Sequence, residues 1–472
     1  MKFRPGRRFQ AISWLLLAGG LAGWLGFVFF RAEDKTVIMP GTTSHGHYQI
    51  ELDCSACHDT RPDGLLVSAV SNAACLECHD EDLREADDSH PVVKFKKPEN
   101  RPFLEKIDAM RCVTCHTEHE PEATGPMGVT LPADYCTYCH QSTIEERETH
   151  KGLGFETCTN AGCHNFHDNR ALYERHLARH AMEPPMLAEG RVEARPGLAA
   201  YLRAEPSTRA LAMADADAPP GVEVAAHAGS WSTDVHAMAG VNCSDCHQPG
   251  GAAWSDTVPM ATCGSCHGDE QEGFLRGKHG MRLAAGMPPM TPGIARRPMK
   301  AEAAHRSLDC TSCHGAHDFD TRVAAYQSCV GCHDDGHSLA YQGSAHHAAW
   351  QAELRGEAPP GSGVSCATCH LPRVDDGQGG VRVEHNQNAN LTPNEKMLRP
   401  VCQQCHGLPF AMDALADADL IRRNFTGGPQ VHVESCDWSL QRALDREDPE
   451  ILELVRKLAG EPSPETNPPR EP

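Results

Sequence analysis

The stretch Cys54-Ser55-Ala56-Cys57-His58 decides how the whole chain is read, because its pattern returns throughout the sequence. The pairs Cys75/Cys78, Cys112/Cys115, Cys136/Cys139, Cys243/Cys246, Cys263/Cys266, Cys310/Cys313, Cys329/Cys332, Cys366/Cys369 and Cys402/Cys405 have the same two-residue spacer. They are followed directly by His79, His116, His140, His247, His267, His314, His333, His370 and His406. An eleventh copy, Cys158-Thr159-Asn160-Ala161-Gly162-Cys163-His164, has four spacer residues. Only Cys436 of the 23 cysteines lies outside these motifs.

Paired cysteines at this spacing also occur in zinc ribbons and redox dithiols. Neither chemistry requires a histidine immediately after the second cysteine, and here that slot is filled in every copy. The pattern is the attachment signature of haem c. Both thiols add to vinyl groups of one porphyrin, and the following imidazole reaches its iron as proximal ligand. The sequence therefore predicts eleven haems c, with Cys54 and Cys57 to Cys402 and Cys405 as thioether positions and His58, His79, His116, His140, His164, His247, His267, His314, His333, His370 and His406 as proximal ligands.

Counting imidazoles decides what such irons can do. Of 29 histidines, eighteen are not proximal, enough to give every iron a second one. The candidates for the sixth position are His47, His90, His119, His150, His167, His180, His236, His279, His305, His317, His337, His346 and His385. Several stand at recurring offsets: His47 and His236 each precede a motif by seven residues, and His119, His167 and His317 each follow a proximal histidine by three. A histidine three residues on cannot reach the far face of its own iron and is expected to serve a neighbouring one. Met281, Met287, Met290 and Met299 fall in one long gap, where packing against porphyrin is favoured over ligation.

At 472 residues, with 6% aromatics, the side chains alone would make a thin core. Buried porphyrins supply the missing apolar surface. The expected fold is mainly α with extensive loops and little sheet, wrapped around covalent haems, with one N-terminal transmembrane helix. The net charge of −21 excludes a nucleic-acid partner. It suits either a plain solvated surface or docking to a basic redox partner.

Residues Ala11 to Phe30 are uncharged and long enough to span a bilayer, and Arg4, Arg7 and Arg8 precede them. A cleaved signal peptide is the competing reading. The end of the apolar run, Phe27-Val28-Phe29-Phe30, lacks the small residues of a cleavage site, which favours a retained anchor. The expected order is a cytoplasmic N-terminus (1–10), the anchor (11–30), a tether (31–44), a five-haem domain (45–180), a cysteine-free linker (181–226), a six-haem domain (227–460) and a disordered tail (461–472). The haem domains are expected in the periplasm, or otherwise outside the cytoplasmic membrane. Cys436 is expected to be an inert buried thiol, and Asp437 to Leu458 an amphipathic helical stretch.

In motif density and in its four-residue spacer, the block 45–180 resembles the class III, tetrahaem cytochromes c, small low-potential electron carriers. The block 227–460 is similar, most specifically over about 340–410, to the superfamily of ammonia-forming nitrite reductase, hydroxylamine oxidoreductase and octahaem tetrathionate reductase. That likeness is carried by Tyr341-Gln342-Gly343-Ser344-Ala345-His346-His347 with Trp350, by Gly363 to Pro372, and by His385 followed by Cys402 to His406. It implies that His385 is a distal ligand. The lysine-ligated catalytic haem of nitrite and tetrathionate reductases has no counterpart, since no Cys-x-x-Cys-Lys motif occurs. The resulting expectation is an electron conduit between a membrane quinol dehydrogenase or cytochrome and a terminal reductase. The alternative is a reductase or oxidase of nitrogen or sulfur compounds with one open iron in the second block, His279 and His346/His347 being the positions to examine.

Overall fold

The computed structural model describes residues 7–30, 39–61, 67, 69–125, 128–132, 134–147, 165–168, 172–190, 201–203, 208–375, 380–391 and 394–460. The wide motif Cys158/Cys163/His164, the candidate His150 and the segment 461–472 lie outside them.

The chain is mainly helical, and most of its helices are short. The one sheet among the described residues is a pair of three-residue antiparallel strands, β1 (Arg373–Asp375) and β2 (Val381–Val383), with Arg373 opposite Val383. The longest helix, α1 (Arg7–Phe30), contains an apolar stretch, Phe9–Val28, long enough to cross a membrane.

The shortness of the helices follows from the motifs. A capping residue stands directly before the first cysteine of several of them. Asp53 accepts from Ser55 N, Asn242 from Cys243 N, Asp309 from Ser312 N and Ser365 from Thr368 N. These side chains satisfy amides that a helix start leaves open. One turn then carries both thiols, and the histidine amide closes back on the first cysteine. His58 N bonds Cys54 O at 2.9 Å, His116 N bonds Cys112 O at 3.0 Å and His406 N bonds Cys402 O at 2.9 Å. Thiols and imidazole are thereby fixed by a single turn.

The chain divides into two compact units, 1–81 with 91–139, and 82–90 with 140–472. In the second, helices α2 (Glu174–His180), α3 (Leu408–Ala416), α4 (Ser435–Asp445) and α5 (Pro449–Leu458) enclose two apolar clusters. Leu172, Leu177, Leu398, Leu408, Met412 and Cys436 form one, and Ala178, Ala443 and Ile451 the other. The amphipathic stretch expected over Asp437 to Leu458 is thus two helices. Glu447 takes a positive φ of 53°, Asp448 caps the second helix and Pro449 occupies its first turn. The apolar set Leu440, Leu444, Ile451 and Val455 closes onto Ala178 of α2. A third cluster joins Tyr326, Tyr341 and Trp350.

Candidate haem-binding sites

An imidazole nitrogen binds a first-row metal at about 2.0–2.1 Å, and the ring centre lies about 1.1 Å behind it, so two trans imidazoles on one iron have ring centres about 6.2 Å apart. Among the described residues nine proximal histidines face a second histidine at that separation. In the first unit His58 faces His119 at 6.4 Å and His79 faces His47 at 6.0 Å. In the second, His140 faces His90 at 5.9 Å, His247 faces His317 at 5.9 Å and His267 faces His236 at 6.2 Å. His314 faces His385 at 6.3 Å, His333 faces His279 at 6.3 Å, His370 faces His337 at 6.2 Å and His406 faces His346 at 6.2 Å.

The other ring nitrogen is tied back to the protein in several of these residues. His58 Nδ1 lies 2.9 Å from Val67 O, His247 Nδ1 2.7 Å from Ser255 O and His406 Nδ1 2.8 Å from Pro185 O. On the facing side, His90 Nδ1 lies 2.6 Å from Phe166 O, His119 Nδ1 2.8 Å from Gly41 O and His385 Nδ1 2.9 Å from Val383 O. An Nδ1 proton committed to a carbonyl leaves Nε2 deprotonated and free for a metal, the arrangement that orients metal-binding imidazoles. The facing rings, their tautomers and the neighbouring thiol pairs fit haem c.

His116 has the same tether, Nδ1 to Gly128 O at 3.0 Å. His167 meets Asp88 through Nδ1 at 3.2 Å, and His180 meets Glu183 at 2.8 Å while its ring lies 4.3 Å from that of His176. His305 is solvent-exposed. His347 turns from its neighbour His346 into the Tyr326, Tyr341 and Trp350 rings, with Nδ1 on Gln342 O at 3.0 Å.

The long gaps supply the reach that the pairing needs. The strap from Gly277 to Lys300 carries His279 at one end. At the other, Lys300 N bonds Cys332 O at 2.8 Å and Met299 bridges to His333, so the strap encloses the motif. Met290 within it is buried and its carbonyl accepts from Leu308 N. The two strands do the same for His385, which follows β2 directly.

Thiols of successive motifs approach one another in sequence order. In the first unit Cys57 interacts with Cys78, Cys75 with Cys112 and Cys115 with Cys136. In the second the order is Cys246 with Cys263, Cys263 with Cys310, Cys313 with Cys329, Cys329 with Cys366 and Cys369 with Cys402. Of these, the Cys75–Cys112, Cys263–Cys310 and Cys329–Cys366 pairs interact most strongly.

Cys266, expected from its motif to be a thioether position, departs from this pattern. It is solvent-exposed, as are Cys78 and Cys313, whereas most motif thiols are partly covered. Its sulfur lies 3.9 Å from Ser265 Oγ, beside a residue of its own spacer rather than a thiol of a neighbouring motif. A thioether at Cys266 is therefore supported by the motif and by the facing of His267 and His236, and not by burial of the thiol.

One pattern went unread in the sequence, an internal duplication. The facings His58/His119, His79/His47 and His140/His90 recur, motif for motif, as His247/His317, His267/His236 and His333/His279. His119 and His317 even share a left-handed backbone, with φ of 64° and 69°. The equal offsets of His47 and His236, and of His119 and His317, were the available signal.

Comparison with known proteins agrees with this duplication. Residues 46–141 and 235–334 each match the family described as cytochrome c3, together less than half of the chain. No curated protein and no solved structure is detectably similar to it.

Proposed function

We propose, starting from those two cytochrome c3-like segments, for which haem c is the implied cofactor and electron transfer the implied chemistry, that the whole chain is an eleven-haem relay anchored in the cytoplasmic membrane. On this reading 45–180 is a five-haem domain and 227–460 a six-haem domain, joined by 181–226, outside the cytoplasm. They pass electrons between a membrane quinol dehydrogenase or cytochrome and a terminal reductase. The apolar helix α1 supports the anchor by length and composition.

The observation that carries the proposal is the facing of nine proximal histidines by a second imidazole at 5.9–6.4 Å. Bound at these positions, haem c supplies a one-electron iron couple. The chain's own residues do the rest. With haem c bound, each facing pair of imidazoles would hold the iron from both sides and exclude substrate from it. Their carbonyl tethers hold the rings in place, so little needs to rearrange when an electron arrives. Thiols that neighbour one another in sequence order would hold successive haems close together and give electrons a defined succession of stops.

The resemblance of residues 340–410 to the nitrite-reductase superfamily falls outside both matched segments, and the paired histidines there, His337/His370 and His346/His406, favour relay over turnover. The test is spectroscopic. The haem-loaded protein is expected to be low-spin in its ferric state and unchanged by CO when reduced. A stoichiometric CO-binding haem, with enzymatic reduction of nitrite, hydroxylamine or tetrathionate, would overturn the relay.

A further inference from the structure

The duplication allows equivalent sites to be compared within one molecule, and one pair differs in what stands behind the facing histidine. In the first repeat His47, opposite His79, turns Nδ1 onto Glu118 Oε1 at 2.6 Å. That carboxylate is itself fixed, accepting from Ser44 N at 2.7 Å and from Ser44 Oγ at 2.8 Å. Glu118 lies two residues after His116, and the matching position after His314 is Ala316. In the second repeat His236, opposite His267, has no hydrogen-bond partner on Nδ1. The nearest carboxylate oxygen, Asp234 Oδ2, is 3.9 Å away, beyond hydrogen-bond distance, while Oδ1 of the same side chain accepts from the amides of His236 and Ala237.

We propose that Glu118 is a potential-setting residue, holding the Cys75 haem site at a lower potential than its counterpart at Cys263. The inference rests on His47 and His236 being iron ligands. A carboxylate accepting the Nδ1 proton draws the imidazole toward imidazolate and raises its basicity as a ligand. A more basic ligand, backed by a fixed negative charge, stabilises iron(III) over iron(II), and the site holds its electron less tightly. No bond is made or broken: the proton stays shared between His47 Nδ1 and Glu118 Oε1. The carbonyl tethers elsewhere, such as Gly41 O on His119, are neutral acceptors with a smaller effect. Electrons entering the first repeat are therefore expected to pass over the Cys75 site as a step and to settle elsewhere.

The experiment is a potentiometric titration of the full-length, haem-loaded protein followed by EPR, comparing wild type with Glu118→Gln, Glu118→Asp and His47→Ala. Glu118→Gln keeps an oxygen acceptor and removes the charge. It is expected to move one low-spin component to higher potential with haem content unchanged, and Glu118→Asp is expected to return that component toward wild type. His47→Ala is expected to convert one haem to high spin. An unmoved component in Glu118→Gln, with His47→Ala still producing the high-spin haem, overturns the role of Glu118 and leaves the ligand pairing intact. A fully low-spin His47→Ala protein overturns the pairing, and the inference with it.

Discussion

At the scale of single residues, adjacent histidines have separate fates, and this can be tested directly. His346 faces His406, whereas His347 packs among Tyr326, Tyr341 and Trp350. His346→Ala is expected to open one iron, giving a high-spin signal and a CO-shifted band from a single haem. His347→Ala is expected to leave both spectra as they were. Spacing alone names the proximal histidines in the sequence. Among the described residues nine of the thirteen distal candidates stand opposite one of them, but which iron each would serve is not legible from spacing. His385 meets His314 across 71 positions of chain, and no local pattern records such a closure. His305 shows the converse, since its residue type made it a candidate and its exposure is set by tertiary packing.

Among elements, the C-terminal helices depend on few contacts of unequal weight. Ile451 of α5 is 1% exposed and packs with Ala178 and Ala443. Ile451→Ala is expected to destabilise this corner by about 2–5 kcal/mol, read as faster amide exchange in α2, α4 and α5. Arg175 and Arg179 on α2 reach Glu450 at the start of α5 at 2.6 Å each, but these groups are solvent-exposed, and their removal is expected to change exchange far less. His432 links α3 to α4, with Nδ1 3.2 Å from Asp413 and Nε2 2.7 Å from Asp437. The Asp437 and Asp413 carboxylates raise its pKa. A raised histidine stabilises the fold fully below its unfolded value of about 6.5, and the contribution fades as pH rises through the folded value. The protection factors of amides at the start of α4, which correct for base catalysis of exchange, are therefore expected to fall with rising pH above that range in wild type, and to lose this dependence in His432→Ala. Apolar periodicity revealed the helical content of residues 437–458. The break came from turn chemistry at Glu447-Asp448-Pro449, which periodicity does not weigh.

For the whole molecule, the ring-plane angles sort the sites into classes that the repeats share. His58/His119 and His247/His317 are near parallel, at 25° and 14°, while His79/His47 and His267/His236 are steep, at 70° and 89°. Low-spin ferric EPR responds to this angle, so the spectrum is expected to contain both a rhombic and a strongly anisotropic class, each with contributions from both repeats. A single class would contradict the pairing. The close approach of successive thiols has another consequence, for how the protein is made. Until porphyrin is attached, every motif is an unprotected thiol pair lying near the next along the chain. On the proposed reading, maturation is a race between attachment and cross-linking of neighbouring motifs. A chain made without attachment is expected to trap disulfides between successive motifs, identifiable by peptide mapping, and each one trapped removes an anchoring sulfur from two different sites at a single stroke.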